Sequence, residues 1–222
     1  MTNLNDQMIV KFDDEIRMYR GNPVQALTMD HYEQGRKDGY ARGFILNSYG
    51  HRPVRLASLF FENDQESYGE KLRDRMLDYN HYGCFAMLGE VLPQENNRVI
   101  LGKEMDDYGL PVPEVHFSFH TNDLKIREEA QKKLAEIGVA VSGQPLYHLH
   151  SNAHLMGGCR MGSDPETSVV NSFGQSHDIK NLFIAGSASF VTAPAANPTL
   201  TVYSLALRTA EYILEEMKTG NL

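Results

Sequence analysis

Strand-like runs follow one another between residues 84 and 119, before the longest helical pattern, and this order restricts the fold more than any other feature. Residues 84–92 are largely apolar, Arg98–Leu101 follow a turn-forming segment, and residues 112–119 alternate apolar with polar side chains. Successive strands without strict βαβ alternation favour antiparallel pairing. The sequence therefore predicts an α+β fold, mainly an antiparallel sheet with flanking helices.

Three further elements are expected from periodicity. Residues 54–61 have the alternation of a mostly buried strand, and residues 64–79 place apolar side chains at helical spacing. Residues 121–138 indicate a capped amphipathic helix that ends at Gly138. Residues 1–50 show no sustained period, and Gly35, Gly39 and Gly43 indicate an irregular segment with an extended or loop-rich path rather than a helix.

Composition restricts the classes of partner. The net charge is −8 and no basic stripe is present, so nucleic acid is not an expected partner. No run reaches the roughly 20 apolar residues of a membrane span, and the N-terminus lacks the pattern of a signal peptide. The two cysteines, Cys84 and Cys159, cannot form a disulfide framework, which favours a reducing compartment and a cytoplasmic location.

Three motifs in the last 70 or so residues carry the chemistry. His154–Gly162 is a histidine that enters a glycine-rich turn, and Asn181–Ser187 is expected to be a buried strand ending in small residues. Ala196–Thr201 opens the final helix.

The third motif has a direct physical interpretation. Asn197 is a favoured N-cap, and Pro198 suits the first helical position. The positive N-terminal end of that helix can stabilise an anion, such as a reduced flavin. A strand ending at Gly186 and Ser187 would let a cofactor approach the backbone closely.

Taken together, the three motifs resemble the C-terminal segment of the glucose–methanol–choline (GMC) oxidoreductases. The likeness runs from about residue 148 to residue 214, with the order and spacing of the motifs intact. Within the family, the Ala-Asn-Pro-Thr-Leu-Thr sequence at residues 196–201 is most similar to pyranose oxidases and related sugar dehydrogenases.

The resemblance implies an enzyme that oxidises CH–OH groups of a sugar or glycoside by hydride transfer to FAD. It implies that His154 is the general base, and a histidine suits that task near neutral pH. It implies that Asn197 hydrogen-bonds and orients the substrate hydroxyl. The flavin-facing residues that it implies are Gly186, Ser187, Pro198 and Thr199.

The resemblance also implies a division of the chain. Residues 1–50 would come from the junction of the flavin and substrate domains, residues 51–147 would form the substrate-domain sheet and helices, and residues 148–222 would be the catalytic and flavin-contacting segment. The final helix would return to the flavin domain. Gly35, Gly39 and Gly43 lack the spacing of a dinucleotide-binding fingerprint.

An FAD-binding chain or N-terminal half is therefore an expected partner, and this chain alone is expected to bind flavin weakly or not at all. Two alternatives remain open. The chain could be an inactive remnant or non-catalytic partner domain, or His148, His150 and His154 could form an open zinc site.

Overall fold

The computed structural model describes residues 1–33 and 39–222, so Gly35 lies outside the described residues. The chain divides into two compact units. The sheet unit comprises Leu4–Glu90 and Thr121–Ala153, and the C-terminal unit comprises Met1–Asn3, Val91–His120 and His154–Leu222. The three segments predicted from the sequence concern the domains of a whole enzyme, and that division stays a prediction.

The strands and helices follow one another without a regular βαβ repeat. The strands are β1 (Asn3–Leu4), β2 (Gln7–Lys11), β3 (Leu27–Thr28), β4 (Phe44–Tyr49), β5 (Tyr82–Gly89), β6 (Arg98–Met105), β7 (Pro111–His116), β8 (Gln144–Leu149) and β9 (Asn152–Ala153). The α-helices are α1 (Pro53–Asn63), α2 (Gly69–Leu77), α3 (Thr121–Ala140) and α4 (Thr199–Thr219).

The sheet unit is built around β5. One edge of β5 pairs with β4 and the other with β1 and β2, and β2 also pairs with β8. These pairings are antiparallel, with Ile9 opposite Cys84 in the centre of the sheet. The predicted α+β fold with an antiparallel sheet and flanking helices is therefore confirmed.

Helices cover both faces of this sheet. Ile9 faces α1 and α2 and packs in a cluster with Leu56 and Phe60. Val10 points to the opposite face, because side chains alternate along a strand, and there it contacts Gly138 of α3. Ile126 of α3 is fully buried. The predicted helix over residues 121–138 is confirmed, but it continues two residues past Gly138.

The predicted strand over residues 54–61 is wrong, because this segment lies within α1. Pro53 occupies the first turn, where its missing N–H costs no helical hydrogen bond. The buried residues Leu56, Leu59 and Phe60 follow the three-and-four spacing of a helix. The polar and small residues that stand between these buried residues produce the alternation that predicted a strand.

In the described part of residues 1–50, strands β1 to β4 belong to the main sheet, so the path is extended, as the sequence indicated, but less irregular than expected. Each has six residues or fewer, and β2 is buried on both faces, so no sustained period could appear in the sequence.

The C-terminal unit carries the antiparallel pair β6 and β7. Strands were predicted in both places, but β7 was expected to be half-buried and is mostly exposed, with Val115 70% accessible. The alternation in its sequence therefore marks a face that this part of the chain leaves uncovered. None of the helices in the described residues has the length and hydropathy of a membrane span.

Most of residues 154–198 form loops that are joined by isolated bridges. The predicted buried strand at Asn181–Ser187 is absent from the described structure: Phe183 makes one bridge, to Gln175, and Leu182 is exposed. An apolar run becomes a strand only where a neighbouring strand continues the pairing. Helix α4 follows, and Thr209 lies on its buried face.

Candidate active site

His154 follows β9 and has an unusual backbone conformation. Its φ angle is 58°, in the left-handed region that few residues other than glycine adopt. Two backbone hydrogen bonds hold the chain directly after it, because the Met156 N–H donates to the Met1 carbonyl and the Met1 nitrogen donates to the Met156 carbonyl. The half-buried imidazole is thus fixed at the entrance of the glycine-rich turn.

The glycine-rich turn is tied to residues 187–189, which form a short 3-10 turn. The Gly157 N–H donates to the Ser187 carbonyl at 2.9 Å, and the Cys159 N–H donates to the Ala188 carbonyl at 3.0 Å. Gly157 and Gly158 both have positive φ angles, which the turn requires. The turn therefore connects the predicted catalytic histidine with the predicted flavin-facing segment.

Asn197 does not cap α4, which corrects the sequence prediction. The helix begins at Thr199, Pro198 occupies the cap position, and no side chain caps the first turn. The Asn197 side chain is instead directed at His154, where its Nδ2 donates to the imidazole Nε2 at 3.2 Å. The structure therefore brings the two predicted catalytic residues together, and their roles stay predictions.

A third polar residue completes this cluster, and no sequence motif indicates it. Asn3 is fully buried, and its Oδ1 lies 3.0 Å from His154 Nδ1. Its Nδ2 donates to the Pro194 carbonyl at 2.6 Å. Asn3 was missed because it stands in a segment without periodicity, 151 positions before His154.

The environment of His154 favours the neutral imidazole. Burial lowers the pKa of His154 below the ordinary value of 6.5. The two side chains on its nitrogens are uncharged amides, so neither offsets this effect. At neutral pH the ring is therefore ready to accept a proton, as a general base must be.

Of the four predicted flavin-facing residues, Thr199 is exposed, Gly186 and Ser187 are half-buried, and Pro198 is buried. Gly186 has a φ of 115°, and a β-carbon placed on it would meet no atom within 4 Å. Backbone geometry therefore requires the glycine, and open space lies beside it. Ser187 accepts the hydrogen bond from the glycine turn, and Pro198 and Thr199 start α4.

These residues fit an anionic, planar cofactor such as FAD. The N–H groups of the first turn of a helix lack intrahelical acceptors, and Pro198 supplies no side-chain cap to them. Thr199 is exposed at that end of the helix. The free donors and the open space at Gly186 would suit the electron-rich edge and close approach of a flavin.

The zinc alternative has no supporting geometry. Within residues 1–33 and 39–222, no group of three His, Cys, Asp or Glu side chains could hold a metal ion. His150 Nδ1 is 3.0 Å from the buried Asp6 carboxylate, whereas His154 is bonded to two asparagines. His150 and His154 therefore each have partners of their own.

Comparison with known proteins gives one consistent family. A family model described as GMC oxidoreductase matches residues 93–206, just over half of the chain. The chain is 37% identical over 135 residues to the fructose dehydrogenase large subunit of Gluconobacter japonicus, covering 59% of the chain and 25% of that protein. It is 38% identical over 142 residues to 2-methyl-1,2-propanediol dehydrogenase of Mycolicibacterium austroafricanum, covering 60% and 25%.

The chain thus spans about a quarter of the length of these curated relatives. Its fold is also similar to a solved structure of formate oxidase from Aspergillus oryzae RIB40, determined in a study of FAD modification. The TM-score is 0.63 at 13% identity, and the match covers 99% of this chain and 47% of the solved chain. At that identity the likeness concerns the fold.

Proposed function

The chain belongs to the GMC oxidoreductase family, and from this membership we propose that it is the substrate-oxidising part of an FAD-dependent enzyme. The proposed substrates are CH–OH groups of a sugar or glycoside, as the likeness of residues 196–201 to pyranose oxidases implies. His154 is the proposed base, and Asn197 is its partner.

The meeting of His154 with Asn197 carries this proposal. The distance from Asn197 Nδ2 to His154 Nε2 is 3.2 Å, so an amide donor and a basic nitrogen are adjacent although the residues are 43 positions apart. A substrate hydroxyl at this point would donate its proton to Nε2 of His154 while its oxygen accepts from Nδ2 of Asn197. The proton would thereby move to the imidazole, and the amide would hold the oxygen in place.

FAD, when bound, would supply the acceptor for the hydride that leaves the substrate carbon. Gly186 and Ser187 would border it closely, and the first turn of α4, which begins at Thr199 after Pro198, would direct its backbone N–H donors towards it. These residues position and stabilise; they carry no redox chemistry of their own.

The proposed partner is an FAD-binding polypeptide, either the N-terminal part of a longer chain or a second subunit. An apolar stripe on α4 is exposed in this chain and follows helical spacing. Contiguous apolar surface of this kind is typical of an interface. The stripe consists of Leu200, Tyr203, Leu207, Leu214 and Met217.

The test combines this chain with its FAD-binding polypeptide and measures dye-coupled oxidation of a panel of sugars, glycosides and simple alcohols. His154→Ala is expected to lower kcat by about 10²–10⁴-fold, the contribution typical of a general base. His116→Ala is the matched control, because His116 is an exposed histidine of β7 that pairs with Glu114.

Two results would overturn the proposal. One is a His154→Ala enzyme that keeps more than about a tenth of the wild-type kcat, since loss of a general base should lower kcat by about 100-fold or more. The other is an assembled protein with bound FAD that oxidises none of the alcohols, which would favour a non-catalytic domain.

A further inference from the structure

Asn3 is a buried amide with both ends of its side chain engaged. Its relative exposure is 0%, its Nδ2 is 2.6 Å from the Pro194 carbonyl, and its Oδ1 is 3.0 Å from His154 Nδ1. A buried amide in such a position is constrained, because each polar atom left without a partner would cost about 1–3 kcal/mol.

The Pro194 carbonyl determines which way the amide faces. A carbonyl oxygen can only accept, so the NH₂ end of Asn3 must point at it. The Oδ1 of Asn3 then faces His154, and Oδ1 carries no hydrogen. The hydrogen of that second bond must therefore reside on Nδ1 of the imidazole.

The same logic extends to the other side of the ring. A neutral imidazole carries one proton, so a proton on Nδ1 leaves Nε2 with a free lone pair. That nitrogen can accept the hydrogen bond from Asn197 Nδ2, which lies 3.2 Å away. The contacts from Pro194 through Asn3 and His154 to Asn197 are thus mutually consistent with a single tautomer.

We propose that Asn3 is a positioning residue that holds neutral His154 in the Nδ1–H tautomer and turns its basic Nε2 towards Asn197. The consequence for catalysis rests on the proposed function, because a base in the other tautomer would present an N–H to the substrate hydroxyl. The tautomer itself is a property of this chain and is independent of any activity.

The segment that carries Asn3 also supports the backbone of His154. A non-glycine residue held at a φ of 58° costs about 1–3 kcal/mol unless surrounding structure enforces it. The paired hydrogen bonds between Met1 and Met156 provide that support, since Met1 stands two residues before Asn3 and Met156 two residues after His154. One short segment therefore orients both the main chain and the ring of the histidine.

An amide is better suited to this position than a carboxylate. An uncharged partner leaves the pKa of His154 lowered by burial, whereas a carboxylate would raise it by about one unit or more. The sheet unit contains the contrasting arrangement, in which His150 Nδ1 contacts the Asp6 carboxylate. Asn3 thus sets the proton position without stabilising the charged ring.

The experiment is a long-range ¹H–¹⁵N correlation spectrum of the imidazole nitrogens in the 222-residue chain at alkaline pH. A His154→Gln variant assigns the His154 signals. The expected wild-type pattern is a protonated Nδ1 and an unprotonated Nε2. A predominantly Nε2–H form would overturn the proposal by itself.

Two variants test the role of the side chain. Asn3→Leu keeps the size but removes the acceptor, so the His154 shifts should move towards a mixture of tautomers; Asn152→Ala, an exposed asparagine near His154, should leave them unchanged. Asn3→Asp should keep the Nδ1–H form and raise the pKa of His154. Unchanged shifts in folded Asn3→Leu, or no rise of the pKa in Asn3→Asp, would contradict the proposal.

In the assembled enzyme, Asn3→Leu should lower kcat at least about tenfold with little change in KM, and the loss should be smaller than that of His154→Ala. Failure of the proposed function is distinguishable from failure of this inference. An inactive assembled protein whose His154 shows the Nδ1–H tautomer would refute the function alone, whereas an active enzyme with the other tautomer would refute the positioning role alone.

Discussion

Replacing Arg127 with methionine is expected to destabilise the sheet unit by about 2–4 kcal/mol. Arg127 lies on α3, and its Nε is 3.0 Å from the Asp6 carboxylate. The Asp6 side chain is fully buried and the arginine side chain is 15% exposed, so this is an ion pair largely removed from solvent. Loss of the cation leaves a buried negative charge without its principal counter-charge.

The magnitude follows from the partners that remain. Removing one member of a fully buried pair costs about 3–5 kcal/mol. Here Gln131 Nε2 still donates to Asp6 at 3.0 Å, and the Ser151 N–H donates at 3.3 Å, which reduces the loss. His150 is too exposed to replace the guanidinium, since its side chain is 60% accessible.

Urea unfolding followed by circular dichroism measures the effect. Lys132→Met, on the same helix, removes an exposed ion pair with Glu128 and should cost below about 0.5 kcal/mol. In a double-mutant cycle, the Asp6→Leu/Arg127→Met chain should lose less unfolding free energy than the two single variants lose together, by at least about 1 kcal/mol. Equal stability of the Arg127→Met and Lys132→Met chains would refute the reasoning.

Two further predictions follow from burial and exposure. Burial lowers the pKa of His51 to about 4, so below pH 6.5 the unfolded chain binds a proton that the folded chain rejects. Unfolding free energy should therefore fall by up to about 3 kcal/mol between pH 6.5 and 4, and His51→Gln should flatten this slope in pH-dependent urea titrations. Leu207 is 65% exposed on α4, so Leu207→Glu should change the unfolding free energy by less than about 0.5 kcal/mol. The same variant should bind the FAD-binding polypeptide at least about tenfold more weakly, as measured by calorimetry. Leu77→Glu, an exposed leucine of the sheet unit, is its control, and equal binding by both variants would contradict the proposed interface.

Long elements with a buried face were predictable from sequence, and α3 is the clearest example. Ile126, Ala130 and Leu134 recur at helical spacing and are all fully buried. Leu124 also fits this apolar face by its spacing, but it is exposed. It stands in the first turn of the helix, where periodicity alone does not determine which side chains reach the sheet.

Short elements were not predictable, because their burial is decided by what lies next to them. Residues 54–61 have an alternating pattern, yet α1 forms there because Leu56, Leu59 and Phe60 can all reach the sheet from a helix. Conversely, the strand predicted over residues 112–119 forms only as far as His116, in β7, and remains mostly exposed. Sequence shows that a face is apolar and does not show whether this chain contains the surface that covers it.

The candidate site shows the same limit at the level of single side chains. His154 and Asn197 stand in local motifs, so a family resemblance can identify them without any knowledge of their contact. Asn3 has no such motif: its contacts with the Pro194 carbonyl and with the His154 ring join distant parts of the sequence and exist only in the folded chain. Residues that would touch a substrate are constrained by chemistry and leave a local pattern. A residue that acts by orienting another is constrained by geometry alone, so the structure is needed to find it.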